Sequence, residues 1–401
     1  MTTGTLQPPA PTSEQKKAET TIPALARFQS KTRPLPDALA LPRAVFYGCK
    51  TPRTVGYLQG SAIAFMQSAG KGVTLDQNRR AFAMATNSVQ SGAGLGTPEQ
   101  KAQWVKHISN ENWSAFWMPF QDQTHKVTSS GKAANSKQEQ ANIAKAKKDF
   151  VSQSRVGEGC DLVVFYIHGG GFVQGDPLQS LDLFRNVMRK VHQLHDVKVG
   201  YFSVQYRFAP ETPFPGPLED CLVAYRALIK EYGVDPKRIV FGGESAGGNL
   251  SYALALKVRD EFSHELPLPA AIYTSSPYFP WKEKLEWTLF DTISPENNDL
   301  FVDAYTQQRP EVLTHPHYNP LNAISLAGLP PTLVIWSHIE VLAIWVDMFV
   351  EKARKDGVEV ETMVKPDRPH CWFMVDPVST VEDREEGAAT IAKFLAKAAS
   401  V

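Results

Sequence analysis

From about residue 160 onward, short apolar runs alternate with longer segments in which apolar side chains recur every three or four positions. Leu162-Val163-Val164-Phe165-Tyr166-Ile167 is unbroken apolar sequence, the pattern of a central strand covered on both faces. The next segment sets Leu181, Phe184, Val187, Met188, Val191 and Leu194 on one side of a helix. The alternation then continues. It predicts strands over 199–204, 239–242, 270–274, 331–336 and 358–364, and helices over 218–232, 345–355 and 381–398. Strands alternating with helices imply an α/β fold, a mostly parallel central sheet flanked by helices. In such a sheet ligands gather beyond the carboxyl ends of the strands.

The first 150 residues are less regular. Residues 1–37 are rich in Pro, Thr, Lys and Glu and read as a disordered tail. Tyr57, Leu58, Ile63, Ala64, Phe65 and Met66 suggest a helix. Two more are expected over 78–89 and 98–108, on either side of Gly92-Ala93-Gly94-Leu95-Gly96. No strand precedes that glycine run, as a phosphate-binding loop would require, so it reads as a linker. Residues 112–118 are aromatic and roughly alternating, a first strand. Residues 123–148 are rich in Lys, Gln, Ser and Ala, and are expected to form a solvated loop or a short exposed helix. Their lysines are wet surface and not a binding patch.

Composition narrows the class. The chain has 401 residues, 43% of them hydrophobic, so it can bury a full core as one large α/β domain with additions. Its 42 basic residues balance 42 acidic ones, which gives no electrostatic case for a nucleic-acid partner. Cys49, Cys160, Cys221 and Cys371 have no C-x-x-C spacing and read as buried or free thiols, with no metal site. The N-terminus lacks a hydrophobic signal region, and no apolar run reaches membrane-span length. A cytoplasmic protein is expected, monomer or homodimer.

Candidate chemistry lies in two places. The first is Gly243-Glu244-Ser245-Ala246-Gly247, a G-x-S-x-G pattern after the apolar run Ile239-Val240-Phe241. Leu250, Ala253 and Leu254 continue it with helical spacing. The arrangement is a strand turning sharply into a helix, with Ser245 held at the apex in a strained conformation. Residues two before and two after must be small, or the two elements would collide. The second is His168-Gly169-Gly170-Gly171-Phe172, directly after the strand ending at Ile167. Consecutive glycines there let backbone N–H groups curl into a pocket and meet a tetrahedral oxyanion.

With these two motifs, Tyr206-Arg207-Phe208-Ala209-Pro210-Glu211, Phe214-Pro215, Glu219-Asp220 and Gly248-Asn249-Leu250, the chain resembles the hormone-sensitive-lipase-like branch of the α/β-hydrolase family over roughly residues 160–400. The resemblance implies a triad in the order Ser, acid, His. His370, in Arg368-Pro369-His370-Cys371-Trp372-Phe373, stands as the base; most members carry Gly where Cys371 stands. Glu340 stands where the family usually carries Asp, with Leu342 two residues on. Asp367 is the fallback acid, Asp347 is expected on a helix surface, and His338 beside the acid is not the base. The implied oxyanion donors are the N–H groups of Gly169, Gly170 and Ala246. Glu244, Tyr206, Arg207 and Asp220 read as structural features behind the site.

The family also implies a cap, built from an N-terminal segment (38–150) and an insertion (278–322), over a core of residues 151–277 and 323–401. The insertion holds Tyr278, Phe279, Trp281, Trp287, Leu289, Phe290 and Tyr318. Phe172 and Trp372, with Tyr278, are the candidates for lining the pocket. The expected activity is that of a serine carboxylesterase on neutral, hydrophobic, short- to medium-chain esters, with no cofactor. The same residues would serve amide or lactone hydrolysis or acyl transfer, and a binding protein that has lost turnover is the reading from another class.

Overall fold

The structure, a computed structural model, describes residues 74–92, 96–121, 137–281, 291–374 and 379–400. Its N-terminal part holds helix α1 (Leu75–Gly92), a single turn α2 (Pro98–Lys101), strands β1 (Lys106–Ser109) and β2 (Ser114–Met118), and helix α3 (Lys137–Gln153). Then come β3 (Leu162–Ile167), α4 (Leu181–His195), β4 (Val199–Gln205), α5 (Gly216–Lys230), β5 (Ile239–Glu244) and α6 (Ala246–Glu261). The chain closes with β6 (Ala271–Ser275), α7 (Pro295–Thr306), β7 (Thr332–Ser337), α8 (Ala343–Lys355), β8 (Val360–Lys365) and α9 (Val381–Ala399).

The strands form one eight-stranded sheet in the order β1-β2-β4-β3-β5-β6-β7-β8. β3 through β8 run parallel, while β1 and β2 are antiparallel at one edge. Every residue of β3, β5, β6 and β7 is buried, which explains why these strands read as continuous apolar runs. Alternate residues feed two core layers. Val163, Phe165 and Ile167 point to one, under α5, α6 and α8. Leu162, Val164 and Tyr166 point to the other, under α4 and α9.

The regular half of the chain matches its expected elements closely; the first half departs in instructive ways. The expected helix over 98–108 stops after one turn. Thr97 and Gln100 form a reciprocal cap that starts it, but Trp104 and Val105 then turn into the core. The chain leaves as β1, paired with β2, whose Ala115 and Trp117 face inward. Sheet pairing overrides weak helical periodicity here. The core sheet therefore takes in residues 106–118, which the expected domain division had left in the N-terminal extension. The expected helix over 78–89 is longer, as α1, and the polar stretch ends in α3. The expected helix near Tyr57–Met66, the tail 1–37 and Trp287 lie outside the described residues.

Helix α1 is fastened to the core through Arg79. Its guanidinium donates to the carbonyls of Val173 (2.7 Å) and Ala209 (2.6 Å) and pairs with Glu211 at 2.7 Å. Asn78 donates to Asn297 of α7 at 3.2 Å. α7 itself begins where Ser294 accepts from the N–H of Asn297, with Pro295 in the first turn.

Among the described glycines the closest backbone approach is at Gly247, the second residue of α6. A Cβ there would sit 1.9 Å from the carbonyl oxygen of Ile167. A Cβ on Gly243 would meet the carbonyl of Gly247 at 2.5 Å. Gly247→Ala is expected to destabilise the protein by about 3 kcal/mol, because backbone must move to admit the methyl group. Urea denaturation measures this; a wild-type midpoint in the variant would contradict it.

Candidate active site

Ser245 sits between β5 and α6 with φ 52° and ψ −121°, a left-handed conformation that costs a non-glycine residue free energy. It is the half-buried residue in a fully buried neighbourhood, Ile239–Glu244 before it and Ala246–Leu250 after. Its own N–H donates to the carbonyl of Ser275 (2.9 Å), and its carbonyl accepts from the N–H of Tyr278 (2.9 Å). The turn is thus held by the carboxyl end of β6.

The same strand end gathers the other two candidate residues. Ser276, also at positive φ (45°), donates its hydroxyl to Glu340 Oε1 at 2.8 Å and accepts from the N–H of Cys371 at 3.1 Å. Glu340 Oε1 accepts as well from the N–H of Ser337, at 2.7 Å. Glu340 Oε2 lies 2.9 Å from Nδ1 of His370. Both side chains are buried. Burial pushes the Glu340 carboxyl up to about 8, against the bonds from Ser276 and Ser337. Burial pushes His370 down, against the negative charges of Asp291 and Glu244. The other ring nitrogen, Nε2, is buried with no hydrogen-bond partner among the described residues.

The glycine loop packs against the nucleophile turn. A Cβ on Gly169 would lie 3.0 Å from Ser245 Cβ, and one on Gly170 (φ 118°) would lie 2.0 Å from the carbonyl of Gln174. Only glycine fits either place. Ala246 opens α6, so its N–H has no carbonyl one turn earlier to bond. Glu244 braces the loop from below. Its Oε1 accepts from Gln179 Nε2 at 2.7 Å and from Ser180 at 3.3 Å. The Gly169 N–H also favours its charged form, although burial raises its pKa overall. His168 is held neutral by burial, at about 4. Its Nδ1–H donates to the Gly169 carbonyl at 2.7 Å, and its ring stacks on Tyr206 at 4.3 Å.

Several other expectations can be placed. Asp367, the fallback acid, pairs with Arg368 at 3.0 Å. Asp347 is on α8, half-buried, and accepts from the Trp336 indole at 3.1 Å. Arg207 and Asp220 form the expected ion pair, 2.7 Å apart, and the Tyr206 hydroxyl donates to the His168 carbonyl at 2.9 Å. Cys160, Cys221 and Cys371 are buried free thiols. Cys371 holds a left-handed φ of 54° where the family usually places Gly.

The pocket-lining expectations need correction. Trp372 is fully buried in the core layer beneath α4 and α9, beside Phe373, so it packs and does not line. Phe172 and Tyr278 are also buried, on the site's side of the sheet. Phe172 stacks on Tyr305 of α7 at 4.0 Å, and the Tyr278 hydroxyl donates to Asn298 at 2.7 Å. They join the glycine loop to α7. Two residues escaped the sequence reading. Ser276 follows a predicted strand as one of two adjacent serines, a weak signal. Asp291 carried none.

A hydrogen bond between two buried groups at 2.9 Å has a spectroscopic consequence. The His370 Nδ1–H is expected to give a far-downfield proton resonance. It should vanish in Glu340→Gln and persist in Asp367→Asn; the reverse pattern would reassign the acid.

Known proteins share this fold and sequence. The alpha/beta hydrolase fold family model matches residues 164–374. The chain is 30% identical to an acetyl-hydrolase from Streptomyces hygroscopicus over 226 residues, 54% of this chain and 69% of that protein. It is 30% identical to the carboxylic ester hydrolase LipN of Mycobacterium tuberculosis over 214 residues, 51% of this chain and 55% of that protein. A crystal structure of an esterase from the bacterial hormone-sensitive lipase family superposes with a TM-score of 0.62 at 25% identity, covering 91% of this chain and 100% of that one. The match runs over the glycine loop, the nucleophile turn and the His370 loop alike, and the chain belongs to the α/β-hydrolase family, in its hormone-sensitive-lipase-like branch of carboxylic ester hydrolases.

Proposed function

We propose that the protein is a serine carboxylesterase that hydrolyses neutral, hydrophobic esters with short to medium acyl chains. One observation carries the reading. A strained, accessible Ser245 and the buried Glu340–His370 pair are bonded to the adjacent residues Ser275 and Ser276, while His370 Nε2 has no described partner. No hydrogen bond joins that nitrogen to Ser245 Oγ here, so the reading requires the two to close to hydrogen-bonding distance when substrate binds.

In this reading Ser245 Oγ attacks the ester carbonyl as its proton passes to His370 Nε2. The carbonyl oxygen becomes an oxyanion, met by the N–H groups of Gly170 and Ala246, while that of Gly169 is engaged by Glu244. Glu340 holds the imidazole in orientation through Nδ1 and stabilises the imidazolium. The tetrahedral state collapses, and the leaving alkoxide takes the proton from Nε2. Water then repeats the sequence on the acyl-enzyme, releasing the acid and freeing Ser245.

Phe172 and Tyr278 back the site on the side of α7, and α1 with α7 forms the cap. Supporting a short acyl group is the aromatic packing of Phe172, Tyr305, Phe214 and Tyr318, which closes the space between the glycine loop and the insertion. Apolar surroundings of this kind suit an uncharged substrate.

Ser245→Ala is expected to lower kcat by about 10⁴-fold or more with the melting temperature unchanged, since one buried-edge hydroxyl contributes little volume. Retained turnover would remove Ser245 from the mechanism. A p-nitrophenyl ester series should peak at short or medium acyl chains; a maximum at long chains would contradict the enclosed pocket. The pH profile follows from burial. His370 acts as base only when neutral, and burial lowers its pKa below the ordinary 6.5. The acid limb of kcat/KM is therefore expected to have its midpoint below 6.5. A midpoint well above that value would show the imidazolium favoured, against the account.

A further inference from the structure

Asp291 lies in the insertion ahead of α7 and is completely buried. A carboxylate in that position is costly unless its oxygens are occupied. Oδ1 accepts from the N–H of His370 at 2.9 Å and from the N–H of Thr292 at 2.7 Å. Oδ2 accepts from the N–H of Val341 at 2.7 Å. One carboxylate therefore spans the backbone of the base and the residue directly after the acid. These two loops leave different strands, β7 and β8, and the bridging group comes from a third segment that belongs to neither.

We infer that Asp291 is a positioning residue, through which the insertion over the site fixes the His370 loop against the Glu340 loop and adds a second negative charge beside the imidazole. The inference rests on the esterase reading above and deepens it. Ser276 and Ser337 stitch the same loops from the sheet side; Ser337 Oγ accepts from the N–H of Arg368 at 2.9 Å. Asp291 closes the bracket from the opposite, cap side. The charged groups facing the imidazole are Glu340 at 2.9 Å, Asp291 and Glu244; Asp347 faces Glu340 from α8. Asp291 and Glu244 both favour the imidazolium, Asp291 the more strongly. Burial raises Asp291 itself to about 6, against the proximity of His370 and the N–H bonds of Val341 and His370. The anion is thus held by the loops that it joins.

Two roles follow, and they separate experimentally. The backbone bonds set geometry, and the charge sets the basicity of His370. Asp291→Asn keeps the shape, removes the charge and loses one acceptor. It is expected to lower kcat about 10- to 100-fold with KM changed by no more than about two-fold. The acid limb of kcat/KM should move to lower pH, because the imidazolium loses a stabilising neighbour. Asp291→Glu keeps the charge and displaces the loops. It should lower kcat while leaving the acid limb where the wild type has it, and it serves as the test if Asp291→Asn does not fold. Wild-type kcat in a folded variant, or a loss of thermal stability with kcat and the acid limb unmoved, would overturn the inference. A fluorophosphonate probe on the wild type keeps the two readings apart. If the wild type neither turns over esters nor labels at Ser245, the esterase reading falls and this inference with it. If the wild type is active and the Asp291 variants behave like it, only this inference falls.

Discussion

The site depends on a steric constraint before it depends on any catalytic group. β5 can turn into α6 at Ser245 only because nothing projects from Gly243 and Gly247, where the helix start lies against the carbonyl of Ile167. That contact brings the ends of β3 and β5 together. It sets the glycine loop, which continues from Ile167, directly against the serine. The proposed nucleophile and oxyanion donors are therefore placed by one backbone packing event. The strain at Ser245 is balanced by hydrogen bonds to Ser275 and Tyr278 and by the buried mass of the surrounding sheet.

The proposed acid and base come to this point by a second device, the end of β6. Ser275 holds the nucleophile turn, and Ser276 holds both Glu340 and the residue after His370. Glutamate in place of aspartate at the acid position is accommodated because its second oxygen is occupied by the Ser276 hydroxyl and the Ser337 N–H, leaving Oε2 for Nδ1. With both groups buried, a lone charge on either is disfavoured, and neighbouring anions act on the charge of the imidazole. Asp291 and Glu244 are those neighbours.

How much of this was legible in the sequence follows from the kind of force at work. The central strands β3, β5, β6 and β7 were plain because both faces of each are covered, and their apolar runs admit few other readings. Ser245 and the glycine loop stood out as candidates because close backbone approach demands small residues at fixed spacing, and His370 was put forward by the family resemblance. Glu340 was put forward by the family resemblance, which sets an acid two residues before Leu342. The edge strand β1 was not legible, because its pairing with β2 leaves no clear periodicity in four residues. Asp291 and Ser276 were invisible for a different reason. Their contribution is a set of bonds to main-chain N–H groups distant in sequence, and such bonds impose no pattern on the residues that receive them. Trp372 was misread because adjacency to His370 along the chain was taken for adjacency in space; the φ of 54° at Cys371 leads the following residue into the core.

The central claim is that a carbonyl bound at Ser245 would find its oxygen among the glycine-loop and helix N–H groups with His370 beside it. The most direct measurement is a crystal structure of the protein after reaction with an organophosphate. The account predicts phosphorus bonded to Ser245 Oγ, the phosphoryl oxygen within hydrogen-bonding distance of the Gly170 and Ala246 N–H groups, and Nε2 of His370 turned toward Oγ. No adduct at Ser245, or a phosphoryl oxygen directed away from those amides, would contradict it.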